Sequence, residues 1–434
     1  MNKLILALFI ILSFLRCGQD SKEEFPNVQN ANYREELNTF INRYPDSPQI
    51  LFAKLELERL ETISPENFKY IWSSEKNIEI SEKDKKYADN KPQLNQILEF
   101  YKSKSQRESF IGADGAKIVY DYFPVENATD ALIISHGSGE SSIRYAEVVY
   151  DLLNNKFPYS IFVINHRGHG YSDRLIGKYK NWDPAWSVFD VYQEDILEYR
   201  KVYVNDFDDF IKDFSMLVDI VKTKYKANKI SALGHSLGGA IVTRYAELNP
   251  NSLERIALSA PMHSIIGLLG ADNSDYLSKA IISTFDTFSH KNFAIAGGGE
   301  SFSHFDTIYN PPENTLNYYT TSKNRFLMKK YILQEYPDIS LGSFTWGFVD
   351  SLYEGVKVIR RDANKIEIPT LILQAEYDDF VHPIGQKQVC DAINTNKQDF
   401  CQIILIKSAK HELFLERDSV RGKVMDIFFD FLVK

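Results

Sequence analysis

Short apolar runs recur along the chain from about residue 118 onward, and stretches with helical periodicity separate them. The runs are rich in β-branched and aromatic residues, which is typical of buried strands. Short buried strands that alternate with helices predict an α/β fold with a doubly wound, mostly parallel sheet, and the hairpin-like first strands would add an antiparallel edge. The predicted strands contain Ile118, Leu132, Ile161, Ile230, Ile256, Leu371 and Ile403.

A long interval without a core strand follows the run at Ile256. We expect residues 263–365 to form a cap or lid that interrupts a core made of residues 110–262 and 366–434. The interval is rich in aromatic residues, and Trp346 and Phe348 are candidates for contact with an apolar substrate. The alternative is that such rings only build the interior of the cap. The glycine run 297–299 favours a flexible loop.

Residues 17–109 predict a helical extension followed by a linker. Two helical patterns, 33–44 and 49–62, flank a proline-containing turn and resemble one tetratricopeptide-like hairpin. A single hairpin cannot bury its faces as a repeat array does. It would therefore either pack on the core or bind an unknown protein partner.

The first sixteen residues predict a signal peptide, because Lys3 precedes an apolar run that is short for a membrane span. Cys17 and the polar residues after it resemble a bacterial lipoprotein signal, in which the cysteine is lipidated. Arg16 departs from that pattern, since a small residue is usual there. We expect export, with a lipid anchor at Cys17 or, alternatively, simple secretion or an uncleaved anchor.

Composition and charge narrow the class of protein. Of 434 residues, 44% are hydrophobic and 25% charged, which suffices for a globular core. The net charge of −9 and the absence of a basic cluster argue against a nucleic-acid partner. Of three cysteines, acylation of Cys17 would leave Cys390 and Cys401, either bridged or both reduced.

The sequence Gly234-His-Ser-Leu-Gly238 lies between a predicted strand and a predicted helix. A serine at such a turn is held near a base with free backbone N–H groups behind it, and glycines on either side avoid steric clashes. Ser236 is therefore the candidate nucleophile.

A nucleophilic serine needs an acid and a histidine at the ends of later strands. The run 369–375 ends at Asp378 and Asp379, and the run 402–407 leads to His411. Of nine histidines, only His411 has both the right order and a strand end. Asp378 is the candidate acid and Asp379 the alternative.

An oxyanion hole would complete the site. A predicted strand ends in His136-Gly-Ser-Gly-Glu140, a loop that can offer the N–H of Ser138 to a developing oxyanion. The N–H of Leu237, directly after the nucleophile, would supply the second donor.

Four motifs together resemble the monoacylglycerol lipase and lysophospholipase branch of the α/β-hydrolases, and the segments 345–348, 414–421 and 428–431 are similar to bacterial lysophospholipases. The similarity runs from about residue 110 to the C-terminus, with departures at Ser141 and Asn165. It implies the roles given above for Ser236, Asp378, His411, Ser138 and Leu237. The motifs are His136-Gly-Ser-Gly-Glu140 with Arg144-Tyr145, Asn165-His-Arg-Gly-His-Gly-Tyr-Ser172, Gly234-His-Ser-Leu-Gly-Gly239 and Ser408-Ala-Lys-His-Glu412.

The resemblance implies hydrolysis of the carboxylic ester of a monoacyl lipid, lysophospholipid ahead of monoacylglycerol, through an acyl-enzyme. A membrane surface is the expected setting. Two alternatives remain: an esterase or peptidase of the same fold that acts on small substrates, and a non-enzymatic lipoprotein. We expect no cofactor and no metal, because the proposed chemistry needs neither.

Overall fold

The structure, a computed structural model, describes residues 33–43, 45, 91–175, 201–204, 206–265, 319–341, 344–396 and 398–433. The predicted signal 1–16, Cys17, the predicted helix at 49–62 and the glycine run 297–299 lie outside these residues.

Nine helices and eight strands form the described part of the chain. The helices are α1 Tyr33–Arg43, α2 Lys91–Lys104, α3 Ala146–Asn154, α4 Phe207–Thr223, α5 Leu237–Leu248, α6 Lys323–Glu335, α7 Trp346–Asp362, α8 Pro383–Asn396 and α9 Asp418–Val433. The strands are β1 Gln106–Ile111, β2 Lys117–Phe123, β3 Ala131–Ser135, β4 Ser160–Asn165, β5 Ile230–His235, β6 Ile256–Ser259, β7 Thr370–Ala375 and β8 Cys401–Ile406. Short 3-10 turns lie at Ala113–Gly115, Ser142–Tyr145, Pro337–Ile339, Ala363–Lys365 and Leu413–Leu415.

All eight strands join one sheet in the order β1-β2-β4-β3-β5-β6-β7-β8. The pairs β1·β2 and β2·β4 are antiparallel, and every other pair is parallel. The predicted α/β class with an antiparallel edge is confirmed. β1 is an addition to the seven predicted strands; it is a polar edge strand whose residues are mostly exposed or half-buried.

Two apolar clusters cover the two faces of the sheet, because alternate side chains of each strand point in opposite directions. Ile133 belongs to one cluster with residues of α4, α5 and α7. Its neighbours Leu132 and Ile134 belong to the other, with residues of α2, α3 and α9. The sheet is therefore buried on both faces, as a parallel sheet requires.

The described parts of the predicted cap interval pack directly on this core. Phe348, Leu352 and Val356 of α7 are buried in the cluster that contains α4 and α5. Met328 of α6 is buried in the opposite cluster. Arg325 fixes α6 to the core through Glu147 of α3, with Nη2–Oε1 at 2.9 Å. Both helices thus belong to the helical layers around the sheet.

Cys390 of α8 and Cys401 of β8 form a disulfide, with a Cα–Cα distance of 5.3 Å. Of the two alternatives that the sequence left open, the bridged one is present. It ties the last parallel strand to the helix that precedes it. No helix within the described ranges combines the length and apolar character that crossing a membrane requires.

Candidate active site

Ser236 lies in a sharp turn between β5 and α5. Its backbone has φ 50° and ψ −118°, a strained conformation for a residue with a side chain. The turn is possible because glycines flank it. A Cβ atom on Gly238 would lie 2.0 Å from the Ser135 carbonyl oxygen, and one on Gly234 would lie 2.6 Å from the Gly238 oxygen. This geometry is that of a nucleophile elbow.

The structure brings His411 and Asp378 together. Nδ1 of His411 lies 2.8 Å from Oδ2 of Asp378, and both side chains are only 6% exposed. The other carboxylate oxygen accepts hydrogen bonds from the N–H groups of Phe380 at 2.9 Å and Val381 at 3.0 Å. Of the two candidate acids, Asp378 is thus the one whose carboxylate the structure shows in contact with the imidazole.

The histidine lies directly beside the elbow. The ring of His235, the residue before the nucleophile, is 4.8 Å from the ring of His411, centroid to centroid. Ser236 follows β5, Asp378 follows β7 and His411 follows β8. The carboxyl ends of these parallel strands meet at one edge of the sheet, which gathers the three side chains.

Electrostatics favour the charged form of His411. Burial by itself lowers the pKa of an imidazole, but the negative charge of Asp378 and its hydrogen bond outweigh burial here. The pKa of His411 is therefore raised above its ordinary value of 6.5. Such a base accepts a proton readily from a serine hydroxyl.

The loop after β3 packs against the elbow. A Cβ atom on Gly137 would lie 3.3 Å from Cβ of Ser236 and 2.9 Å from the His235 ring, so only glycine fits there. Ser138 follows and is half-buried. Leu237 is the first residue of α5, so its N–H has no acceptor within the helix. The structure thus places Leu237 and the loop that carries Ser138 beside Ser236.

Three buried histidines support this loop from behind. The ring centroids of His136 and His166 are 4.5 Å apart, and those of His136 and His169 are 5.6 Å apart. Nδ1 of His136 donates to the Gly137 oxygen at 2.7 Å, and its Nε2 accepts from the His166 N–H at 3.1 Å. Burial lowers the pKa of His136 to about 4 and that of His169 to about 3. All three rings are therefore neutral near pH 7.

Aromatic rings flank His411. Phe380 lies 5.0 Å from the His411 ring, and Tyr319 stacks on Phe380 at 4.8 Å, centroid to centroid. Both rings are half-buried, so they offer apolar surface beside the reacting groups. Neither was singled out for this role from the sequence, because their position depends on loops that meet only in the fold.

The sequence predicted substrate contact for two other residues, Trp346 and Phe348. Phe348 is fully buried and packs against His169, Phe210 and Phe344, with centroid distances of 6.1, 6.5 and 5.3 Å. An enclosed ring cannot line an open tunnel. Phe348 therefore helps to build the interior, which was the alternative to substrate contact. Trp346 begins α7, and its side chain lies outside the described residues.

Four buried charged residues adjoin the site and have no role that the sequence alone indicates. Glu140 ends the oxyanion loop, Arg144 follows it, Glu412 comes directly after His411, and Lys329 lies on α6. Glu140, Arg144 and Glu412 belong to the quoted motifs, which was the only signal available in the sequence. Their mutual contacts could not be read from it.

A comparison with protein families identifies the chain. The family model Hydrolase_4, described as "Serine aminopeptidase, S33", matches residues 126–418. The chain belongs to this family. With the geometry of Ser236, Asp378 and His411, the protein is an α/β-hydrolase and a carboxylic-ester hydrolase.

Curated relatives agree with this assignment, and a solved structure agrees with the fold. The chain is 25% identical to lysophospholipase L2 of Escherichia coli K12 over 340 residues, which cover 77% of this chain and 89% of that protein. It is 28% identical over 160 residues to a monoacylglycerol lipase of Mycolicibacterium smegmatis, covering 37% and 48%. A soluble variant of monoglyceride lipase from Saccharomyces cerevisiae superimposes with a TM-score of 0.54 at 20% identity, covering 75% of this chain and 94% of that one. The chain thus lies in the lysophospholipase and monoacylglycerol lipase branch.

Proposed function

We propose that this hydrolase cleaves the ester of monoacyl lipids, lysophospholipids ahead of monoacylglycerols. The observation that favours lysophospholipids is the share of this chain that each relative matches. The similarity to lysophospholipase L2 covers 77% of this chain, against 70% for a monoglyceride lipase homolog of Monkeypox virus and 37% for the monoacylglycerol lipase of Mycolicibacterium smegmatis. The half-buried rings of Tyr319 and Phe380 beside His411 supply apolar surface for part of a lipid.

The reaction follows from the positions of the side chains. Nε2 of His411 takes the hydroxyl proton of Ser236 as Oγ attacks the ester carbonyl carbon. The carbonyl oxygen becomes an oxyanion, which accepts hydrogen bonds from the N–H groups of Ser138 and Leu237. The intermediate collapses, the carbon–oxygen bond to the alcohol breaks, and His411 returns its proton to the departing oxygen of the glycerophosphodiester or of glycerol. Asp378 stabilises the imidazolium throughout.

The second half of the reaction repeats these roles with water. His411 takes a proton from a water molecule, and the resulting hydroxide attacks the acyl carbon on Ser236. The same N–H groups hold the oxyanion, the bond to Oγ breaks, and Ser236 recovers its proton from His411. The products are a free fatty acid and the unmodified enzyme.

A substrate panel tests the proposal. Steady-state rates are measured on lysophosphatidylcholine, lysophosphatidylethanolamine, a monoacylglycerol of equal chain length, p-nitrophenyl butyrate and an aminoacyl p-nitroanilide. We expect kcat/KM to be highest for the lysophospholipids, with S236A as the blank. Preference for the short ester or the anilide would instead favour the alternative of a small-molecule esterase or peptidase.

We further propose that the protein is exported and anchored to a bacterial membrane through a lipid on Cys17. Support comes from the apolar run that precedes Cys17 and from the Cys390–Cys401 bridge, since disulfides persist in oxidising compartments. Cells that express the protein are fed labelled palmitate. We expect labelled protein in the membrane fraction and loss of label in C17S. Equal labelling of both proteins, or none, would contradict lipidation at this residue.

A further inference from the structure

A buried network of four charges connects the oxyanion loop to the loop of the catalytic histidine. Arg144 and Glu412 form an ion pair through Nη2 and Oε2. Nε of Arg144 lies 3.9 Å from Oε1 of Glu140, and Nζ of Lys329 lies 3.8 Å from Oε1 of Glu412. All four side chains are at most 8% exposed. The two negative charges of the glutamates offset the two positive charges of Arg144 and Lys329, and buried charges need such pairing.

Each acid of the network is attached to one catalytic loop. Oε2 of Glu140 accepts hydrogen bonds from the Gly137 N–H at 2.7 Å and from the Tyr145 hydroxyl at 3.0 Å, so it fixes the loop that carries Ser138. Glu412 is the neighbour of His411 in sequence. Its own N–H donates to the Tyr319 oxygen at 2.7 Å. Moving either carboxylate therefore moves a catalytic group.

We propose that Arg144 is a positioning residue that holds the oxyanion donor Ser138 and the base His411 in register, through Glu140 and Glu412. The inference rests on the assigned ester hydrolysis and not on the identity of the lipid. A planar guanidinium can face two carboxylates at once, whereas an ammonium acts as a single point charge. Replacing arginine by lysine therefore distinguishes a role in positioning the two loops from a role in neutralising the two carboxylates.

The network also acts on the charge state of His411. The groups that face this ring are Asp378, Glu412, Glu140 and the neutral ring of His235, with Arg144 and Lys329 behind the two glutamates. After Asp378, Glu412 and Glu140 each raise the pKa of His411. Burial alone would raise the pKa of Glu412, but Arg144 and Lys329 hold it below its ordinary value. Glu412 is therefore ionised when the enzyme works.

Two variants test the proposal with p-nitrophenyl butyrate, a substrate that does not depend on lipid recognition. R144K keeps the charge balance and hence the fold. We expect kcat to fall by about 10- to 100-fold with KM within about twofold, because small displacements of catalytic groups cost rates of this order. E412Q should lower kcat similarly and also move the acid limb of the pH–kcat/KM profile to lower pH, since one negative charge near His411 is gone.

A charge-balanced double variant and a matched control keep the test decisive. R144M/E412Q removes one charge of each sign and guards against misfolding of E412Q; we expect the same loss of kcat. R244M/E247Q removes another buried pair, with Nη1–Oε2 at 2.9 Å, that touches neither catalytic loop. It should lower the melting temperature and leave the acid limb in place. Wild-type kcat in R144K or in R144M/E412Q, or an unmoved acid limb in E412Q, would overturn the proposal.

Discussion

Replacing Asp378 by asparagine tests the catalytic assignment most directly. In the native site one carboxylate oxygen accepts two backbone N–H groups, at 2.9 and 3.0 Å, while the other faces Nδ1 of His411 at 2.8 Å. An asparagine must point its single oxygen at the two N–H groups. Its NH₂ group then donates to Nδ1, and the proton of the neutral imidazole moves to Nε2. A histidine in that tautomer cannot accept the proton of Ser236.

The magnitude follows from the same contacts. Turning the amide around would restore the tautomer but leave two buried N–H groups unsatisfied, each costing about 1–3 kcal/mol. The wrong tautomer is therefore favoured by about 2–6 kcal/mol, or about 30-fold to 10⁴-fold at 1.36 kcal/mol per factor of ten. The charge that stabilises the imidazolium is lost as well. We expect kcat to fall by about 10⁴-fold, the upper end of this range.

The assay compares D378N with D379N on p-nitrophenyl butyrate, with melting temperatures as a check on folding. D379N is the matched control, because it makes the same chemical change at the adjacent residue. We expect it to keep activity within a few-fold of the wild type. A folded D378N with more than a tenth of wild-type kcat, or a larger loss in D379N, would refute the reasoning.

Three further predictions concern the nucleophile, the core and pH. S236A should fold normally and lose hydrolysis by about 10⁶-fold, because the triad acts as a unit; turnover of a long-chain ester near the wild-type rate would exclude Ser236. Phe348→Ala should lower the free energy of unfolding in urea by about 3–5 kcal/mol and depress activity on short and long esters alike, because its ring is core; a loss confined to long chains would mean that the ring contacts substrate. The pKa values of His136, His169 and His263 are lowered from 6.5 to about 4, 3 and 3 by burial, so the unfolded chain binds more protons below pH 6.5. Stability should thus be full above pH 6.5 and fall as pH drops toward 4, by up to about 1.4 kcal/mol per pH unit and ring; a flat profile of unfolding free energy from pH 7 to 4.5 would show that these rings are protonated in the fold.

The sequence was sufficient for most of the sheet, because strands that are buried on both faces appear as continuous apolar runs. The sequence did not predict the edge strand β1. β1 has a polar sequence with little burial and resembles a linker until it pairs with β2. Helix α2 is a different case. Leu94, Ile97, Leu98 and Tyr101 have helical spacing and are all buried, so the sequence carried a signal for this helix that was not used.

The same contrast divides the active site. The turn around Ser236 is encoded within five residues, and Asp378 and His411 follow strands in the expected order. The buried ion pair of Arg144 and Glu412 joins residues 268 positions apart, and no local pattern reports such a contact. The surroundings of an aromatic ring are equally invisible in the local sequence. Phe348 and Phe380 look alike in sequence, yet one is enclosed in the core and the other lies half-buried beside His411.

The register of the last strands is itself part of the catalytic machinery. β7 and β8 pair from Thr370–Cys401 to Ala375–Ile406, and the loops that follow carry Asp378 and His411. A slip of β8 by one residue would displace its end by about 3.3 Å and turn its side chains to the opposite face. That displacement exceeds the 2.8 Å separation of the hydrogen-bonded atoms of His411 and Asp378, so the pair would be broken. The disulfide at Cys401, the first residue of β8, opposes such a slip from the other end of the strand.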